Sequence, residues 1–383
     1  MRFEFAAPQR ILFGTGTRVE VPEEAYKLGG HPFVVYDQQT IADPLLKQFA
    51  PTGISPLPHC IKGEPTVSSV CEAVRGARAG NCDLVIGIGG GSVLDTGKVV
   101  AALLTNEGNL IDYLEIVGAG CTLEKASAPY IAIPTTAGTG SEVTRNAVIA
   151  VPEKQIKVSL RSPCMLPRLA IVDPELTYSL PPEITAATGM DALTQCIEPF
   201  VCNSPNPLVD SVCRDGIRRA VRSLWKACTN GKDSRAREDL ALASLFGGLA
   251  LANAKLGAVH GLAGVLGGMY PAPHGAVCAR LLPFVMDANL RALRKRERNS
   301  PVLERYAEVA ILLTGNALAR IEDGARWVLG STRSLNIPAL GVYGVKKDDF
   351  PVIVAQAQKA SSMKGNPITL TEDELIGILE KAI

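Results

Sequence analysis

The stretch GMDALTQCIEPF, residues 189–200, sets Asp191 and Gln195 four residues apart. On a helix the two side chains share one face. An acid at that distance from a histidine would look like half of a metal site, but here the second residue is glutamine. Further on, LGAVHGLAGVLGGMYPAPHGAVCA carries His260 and His274, two of only four histidines in the chain beside His31 and His59. Neutral imidazoles and a carboxylate suit a divalent transition cation, so Asp191, His260 and His274 are candidate ligands. The same residues serve equally well as hydrogen-bonded polar groups, and spacing alone leaves both readings open.

A second chemistry lies upstream. CDLVIGIGGGSVLDTGKVV reads as a strand, then Gly89, Gly90 and Gly91, then a helix opened by Ser92. Glycines admit close approach of a ligand, and a helix N-terminus offers unpaired N–H groups to phosphate oxygens. This is not a Walker A loop, because five residues separate Gly91 from Gly97 and Val99 follows Lys98. It also departs from GxGxxG by ending in serine. A plain strand-to-helix turn is the competing reading. PTTAGTGSEVT, residues 134–144, adds a second loop of small and hydroxyl residues after a strand. Two such loops point to a dinucleotide. Asp37 ends the strand PFVVYD; it suits ribose hydroxyls and would repel a 2′-phosphate, favouring NAD over NADP. It precedes the glycine loop, against the usual Rossmann order, and also reads as an N-cap for QQTIADPL.

These residues must be positioned by two kinds of element. Residues 32–37, 82–91, 129–136 and 169–173 are near-continuous apolar runs, expected to be strands covered on both faces. From Leu180 onward, Ala- and Leu-rich stretches predict almost all helix. DPELTYSLPP supplies the break near Asp173 to Pro182. The expected fold is an α/β N-terminal domain with a largely parallel Rossmann-like sheet, residues 1–178, followed by an all-α domain, residues 179–383. A ligand cleft between them is the expectation. With 383 residues the chain is long enough for two cores, and a net charge of +1 with no basic block excludes a nucleic-acid footprint. The richest basic run, Arg291 to Arg298, includes Glu297. No stretch reads as a signal or a membrane span, and ten scattered cysteines read as reduced thiols, so a cytoplasmic protein is expected.

Taken together, GGGSVLDTGK, PTTAGTGSEVT, LPPEITAATGMDALTQCIE, LGAVHGLAGVLGG, PAPHGAVCA and the late GNP at 365–367 resemble the iron-containing alcohol dehydrogenase family, in the right order and over nearly the whole chain. Glycerol dehydrogenases, maleylacetate reductases and dehydroquinate synthases resemble it more distantly. The resemblance implies reversible hydride transfer between NAD(P) and a small alcohol or carbonyl substrate, in a homo-oligomer. It assigns cofactor contacts to Gly90, Gly91, Ser92, Asp95, Thr135, Thr136, Thr139 and Lys157, and pocket positions to Leu251 and Ser362. It assigns metal ligands to Asp191, His260 and His274, with Gln195 where a third histidine is expected. Gly264 is a second departure, where many members carry another histidine. The expected cation is Fe²⁺ or, as in the glycerol dehydrogenase pattern of one Asp and two His, Zn²⁺.

The leading expectation is thus an NAD-dependent alcohol dehydrogenase or aldehyde reductase assisted by a divalent metal. A metal-independent reductase of a carboxylated carbonyl is the close alternative, with Arg145 and Lys364 as candidate carboxylate partners. A dehydroquinate synthase-like lyase and a silent NAD-binding protein are the others.

Overall fold

The computed structural model describes residues 2–383. Its strands are β1 (Arg10–Phe13), β2 (Pro32–Tyr36), β3 (Leu57–Cys60), β4 (Leu84–Gly89), β5 (Tyr130–Pro134), β6 (Asn146–Val151), β7 (Ile156–Arg161) and β8 (Leu169–Val172). Six of them form one parallel sheet in the order β1-β8-β5-β4-β2-β3, and β6 and β7 pair as a separate antiparallel hairpin. The helices of this half are α1 (Val21–Leu28), α2 (Gln39–Lys47), α3 (Val67–Ala79), α4 (Gly91–Thr105) and the single turn α5 (Leu110–Tyr113).

The continuous apolar runs are explained by cover on both faces. Val34, Tyr36, Ile86, Ile88, Ile131 and Ile133 point to one side, where Val21, Ala25, Ala42 and Leu45 of α1 and α2 close a core. Phe33, Val35, Val85 and Ala132 point to the other, under Val70, Val74, Val99 and Leu103 of α3 and α4. The chain leaves β2 outward to β3, then returns past β2 to β4, so the winding reverses between β2 and β4. In open α/β sheets ligands bind beyond the strand carboxyl ends at such a reversal.

The second half is helical, as expected: α6 (Pro182–Val201), α7 (Pro207–Thr229), α8 (Ser234–Asn253), α9 (Ala258–Met269), α10 (His274–Arg296), α11 (Val302–Thr314), α12 (Ile321–Ser334), α13 (Phe350–Ala357) and α14 (Glu372–Ala382). Pro182 opens α6, where a missing N–H costs nothing. Most of α6 is buried, with Met190, Leu193, Ile197 and Phe200 in the core it shares with α7, α8 and α10. Gly247 lets α8 close on it, since a Cβ there would stand 3.0 Å from Cβ of Gln195.

The chain divides into two compact units. The α/β unit holds Ala6–Thr136 and Gly140–Ser179; the helical unit holds Leu180–Ile383, Ala137–Thr139 and the N-terminal residues up to Phe5. No single helix among the described residues is long and apolar enough to cross a membrane. All ten cysteines are unbridged.

Candidate metal centre

Each ligand candidate is held by a specific local device. Asp191 sits in the middle of α6, 2 % exposed. His260 lies in the first turn of α9, whose N-cap Gly257 has no side chain to satisfy the opening N–H groups. Two distant residues do it instead: Asn366 Oδ1 accepts from the Ala258 N–H at 3.1 Å, and Glu198 Oε1 accepts from the Val259 N–H at 2.7 Å. Asn366, from the GNP stretch, is locked in turn by reciprocal bonds with Asn289. The other oxygen of Glu198 lies 2.6 Å from His260 Nδ1. A carboxylate there fixes the tautomer with the proton on Nδ1 and leaves the Nε2 lone pair free to face inward. His274 opens α10 immediately after Pro273.

These devices converge. Asp191 Oδ1 lies 3.5 Å from His260 Nε2 and 3.9 Å from His274 Nε2. Both Asp191 Oδ1 and His260 Nε2 are buried with no hydrogen-bond partner. Orphaned polar atoms in a protein interior are costly, and two aimed at one point call for something to satisfy them. Ligands about 2.0–2.2 Å from a tetrahedral cation stand about 3.4 Å apart, which these separations approach. The residues fit a divalent metal.

The electrostatics agree. Burial pushes the Asp191 carboxyl up, but His274 and His260 overcome it and hold it low. Burial pushes His260 down, while Cys278, Asp191 and Glu198 drive it well up. Cys278 and Asp191 likewise raise His274 against its burial. The cluster demands positive charge, and a bound cation would supply it in place of protons.

Sequence reasoning missed two members. Cys278 Sγ lies 3.6 Å from His274 Nε2, and the ligand atoms of Asp191, His260, His274 and Cys278 all fall within 4.8 Å of one another. Glu198 is the other. Helical spacing was the available signal: Cys278 follows His274 by four, and Glu198 follows Gln195 by three. Gln195 is buried on α6 and donates its Nε2 amide to the Gly138 carbonyl at 2.9 Å. Gly264 opens on free space, with nothing within 4 Å of a Cβ built there. Leu251 lies on α8 and Ser362 on the turn Ser362–Gly365, both half-buried; Lys364 beside it is exposed, and Arg145 is half-buried in the α/β unit.

In the α/β unit the glycine turn lies at the winding reversal. Gly90 caps α4, so the helix opens at Gly91 rather than Ser92, and no side chain caps it. Its first N–H groups are therefore available to an anion. None of Gly89, Gly90 or Gly91 has positive φ, so backbone conformation does not demand glycine there. Close approach is what requires glycine: at Gly89 a Cβ would stand 2.3 Å from Val93 Cγ2 and 3.0 Å from Asp37 Oδ1. Asp37 is not an N-cap, since Gln38 holds that place on α2 without a side-chain bond. Burial pushes its carboxyl up, while backbone N–H groups including that of Gly90 pull it down. Asp37 precedes the glycines in sequence yet lies beside them, because β2 neighbours β4.

The second loop follows β5. Thr135 is buried with its Oγ1 unpartnered, and Thr136 packs along Gly90, whose built Cβ would meet its Cγ2 at 3.5 Å. Thr139 clusters with the helical unit instead. Asp95 is committed to the protein: Oδ1 accepts from Ser141 Oγ at 2.6 Å and Oδ2 from the Val148 N–H at 2.8 Å. Lys157, on β7, pairs with Glu64 at 2.6 Å.

Comparison with known proteins places both halves. Residues 8–174 match the family model "Iron-containing alcohol dehydrogenase", and residues 185–383 match "Fe-containing alcohol dehydrogenase family, C-terminal". The chain is 37 % identical over 319 residues to alcohol dehydrogenase 4 of Saccharomyces cerevisiae, covering 83 % of this chain and 80 % of that protein. It is 34 % identical over 394 residues to the 1,3-propanediol dehydrogenase of Klebsiella pneumoniae, covering 99 % and 98 %. Its fold is similar to that of a sulfoacetaldehyde reductase from Bifidobacterium kashiwanohense in complex with NAD⁺, with a TM-score of 0.87, 27 % identity, and coverage of 100 % and 99 %.

Proposed function

The chain belongs to the iron-containing alcohol dehydrogenase family, and from that premise we propose an NAD-dependent oxidoreductase interconverting a small alcohol and its aldehyde or ketone with help from a divalent metal. The observation that carries the metal assignment is the pair of buried, unpartnered atoms Asp191 Oδ1 and His260 Nε2 beside His274. Asp191, His260 and His274 hold the cation, which supplies Lewis acidity toward a hydroxyl or carbonyl oxygen. Glu198 orients His260 and keeps its proton on Nδ1. Gln195 anchors the 137–139 segment through Gly138 rather than serving as a strong ligand.

Gly90, Gly91 and Ser92 present the α4 N-terminus to the pyrophosphate, and Asp37 beside them receives the adenosine ribose hydroxyls. Bound NAD supplies the hydride acceptor or donor. Thr135 and Thr136 line the same turn, whereas Asp95 positions it through Ser141 and Val148. The NAD⁺ complex of the sulfoacetaldehyde reductase supports the choice of cofactor. The reading extends to a homo-oligomer, testable by light scattering, and to the cytoplasm, whose reducing conditions suit ten unbridged thiols.

The test is NADH turnover against a panel of aldehydes and alcohols, with the protein stripped and then reloaded with Fe²⁺ or Zn²⁺. Activity should return with metal, and NADH should be preferred over NADPH. Asp37→Gly should narrow that preference about tenfold by removing repulsion of the 2′-phosphate. Full activity in the stripped protein would favour a metal-independent carbonyl reductase instead.

A further inference from the structure

We propose that Cys278 is a further metal ligand of this chain, beside Asp191, His260 and His274, and that its sulfur selects a thiolate-compatible cation such as zinc over harder ions. The proposal rests on the metal reading above. Three observations carry it.

Cys278 is buried one helical turn beyond His274 on α10, so both side chains reach the same point. Its sulfur is 3.6 Å from His274 Nε2, and a tetrahedral cation holds nitrogen and sulfur ligands about 3.6 Å apart. The sulfur also joins a set whose Asp191 and His260 atoms are buried, unpartnered and aimed inward, so the cysteine does not stand alone. Gln195, by contrast, has its amide nitrogen fixed on Gly138. Cysteine binds as thiolate, so loading releases the thiol proton to solvent. The thiolate and the Asp191 carboxylate together then balance a divalent charge, which leaves both histidines neutral as ligands must be. Sulfur favours zinc, whereas manganese and magnesium favour oxygen.

The full-length chain, stripped and reloaded with Co²⁺, should show the thiolate-to-cobalt charge-transfer absorption of the near ultraviolet. Cys278→Ser should lose that band while still taking up cobalt through Asp191, His260 and His274. Zn²⁺ affinity should fall in both Cys278→Ser and Cys278→Ala by at least the roughly tenfold that loss of even an outer partner brings. Mn²⁺ affinity should change less than about threefold. A cysteine that only packs against His274 would move neither the band nor the zinc-to-manganese ratio. Cobalt-loaded wild type lacking the band, or Cys278 variants matching wild type while His260→Ala loses all metal, overturns the Cys278 assignment alone. If wild type takes up neither Co²⁺ nor Zn²⁺, the metal reading itself fails and the assignment falls with it.

Discussion

A histidine can be a ligand only if its lone pair faces the metal, and for His260 that orientation is decided by Glu198. The carboxylate does two things at once: one oxygen caps α9 through Val259, and the other holds His260 Nδ1. Glu198→Gln separates these roles. A glutamine oxygen can keep the cap, but the charge that fixes the tautomer and raises ligand basicity is gone. We expect Zn²⁺ affinity to drop roughly 10- to 100-fold by titration, with an unchanged circular dichroism spectrum. Equal affinity in the variant would mean that His260 needs no carboxylate behind it. Glu198 was within reach of sequence reasoning, since it shares a helix face with Gln195. What the sequence lacks is the partner: His260 stands on another helix, brought there by the packing of α9.

At the scale of elements, the glycine turn and the 134–144 loop are fastened by a buried polar knot. Lys98 of α4 is fully buried and donates to Ser141 Oγ, Thr144 Oγ1 and the Asn146 carbonyl at 2.7–2.8 Å. Burial lowers its affinity for a proton, and Asp95 opposes that. Glu142 in the same loop is buried, and burial pushes its carboxyl up from 4.5 to about 7 despite Lys98. A folded value above the unfolded one means that the contribution is fully present below 4.5 and is lost as pH rises through about 7. Wild-type stability should therefore decline between pH 5 and pH 8 by up to about 3 kcal/mol from this group. Glu142→Gln should flatten that decline, gaining most over wild type at the alkaline end in urea unfolding. Parallel pH profiles for the two proteins would show that Glu142 does not titrate as its burial demands.

On the scale of the whole molecule, the two ligand sets belong to different units. Asp191, His260, His274 and Cys278 all lie in the helical unit, and the glycine turn with Asp37 lies in the α/β unit. Lesions should separate accordingly. His260→Ala should abolish zinc uptake while the NADH dissociation constant stays within about twofold, because the glycine turn and Asp37 are held by partners of their own in the α/β unit. Gly90→Val should do the reverse. A Cβ at Gly90 makes only ordinary contact with Thr136, so the variant is expected to fold, and its added methyls should crowd a pyrophosphate held at the α4 N-terminus. A loss of at least about tenfold in NADH affinity is expected by fluorescence titration. Loss of zinc uptake in Gly90→Val would show that the turn supports more than the nucleotide.

The sequence by itself determined the architecture, because burial on both faces of a sheet writes continuous apolar runs such as 32–36 and 84–89, and a buried helix writes the Ala- and Leu-rich stretches after Leu180. It also determined which aspartate and histidines to weigh, through the order of motifs rather than through spacing. Tertiary structure alone decided which neighbours those residues meet. The return past β2 to β4 sets Asp37 against Gly89. The meeting of α6, α9 and α10 adds Cys278 to the metal cluster and Glu198 behind His260. A contact 57 positions apart turns Gln195 toward Gly138. Helical and strand periods report only which residues share a face of one element; which faces meet is decided by packing the whole chain, and the chemistry of this centre arises where they do.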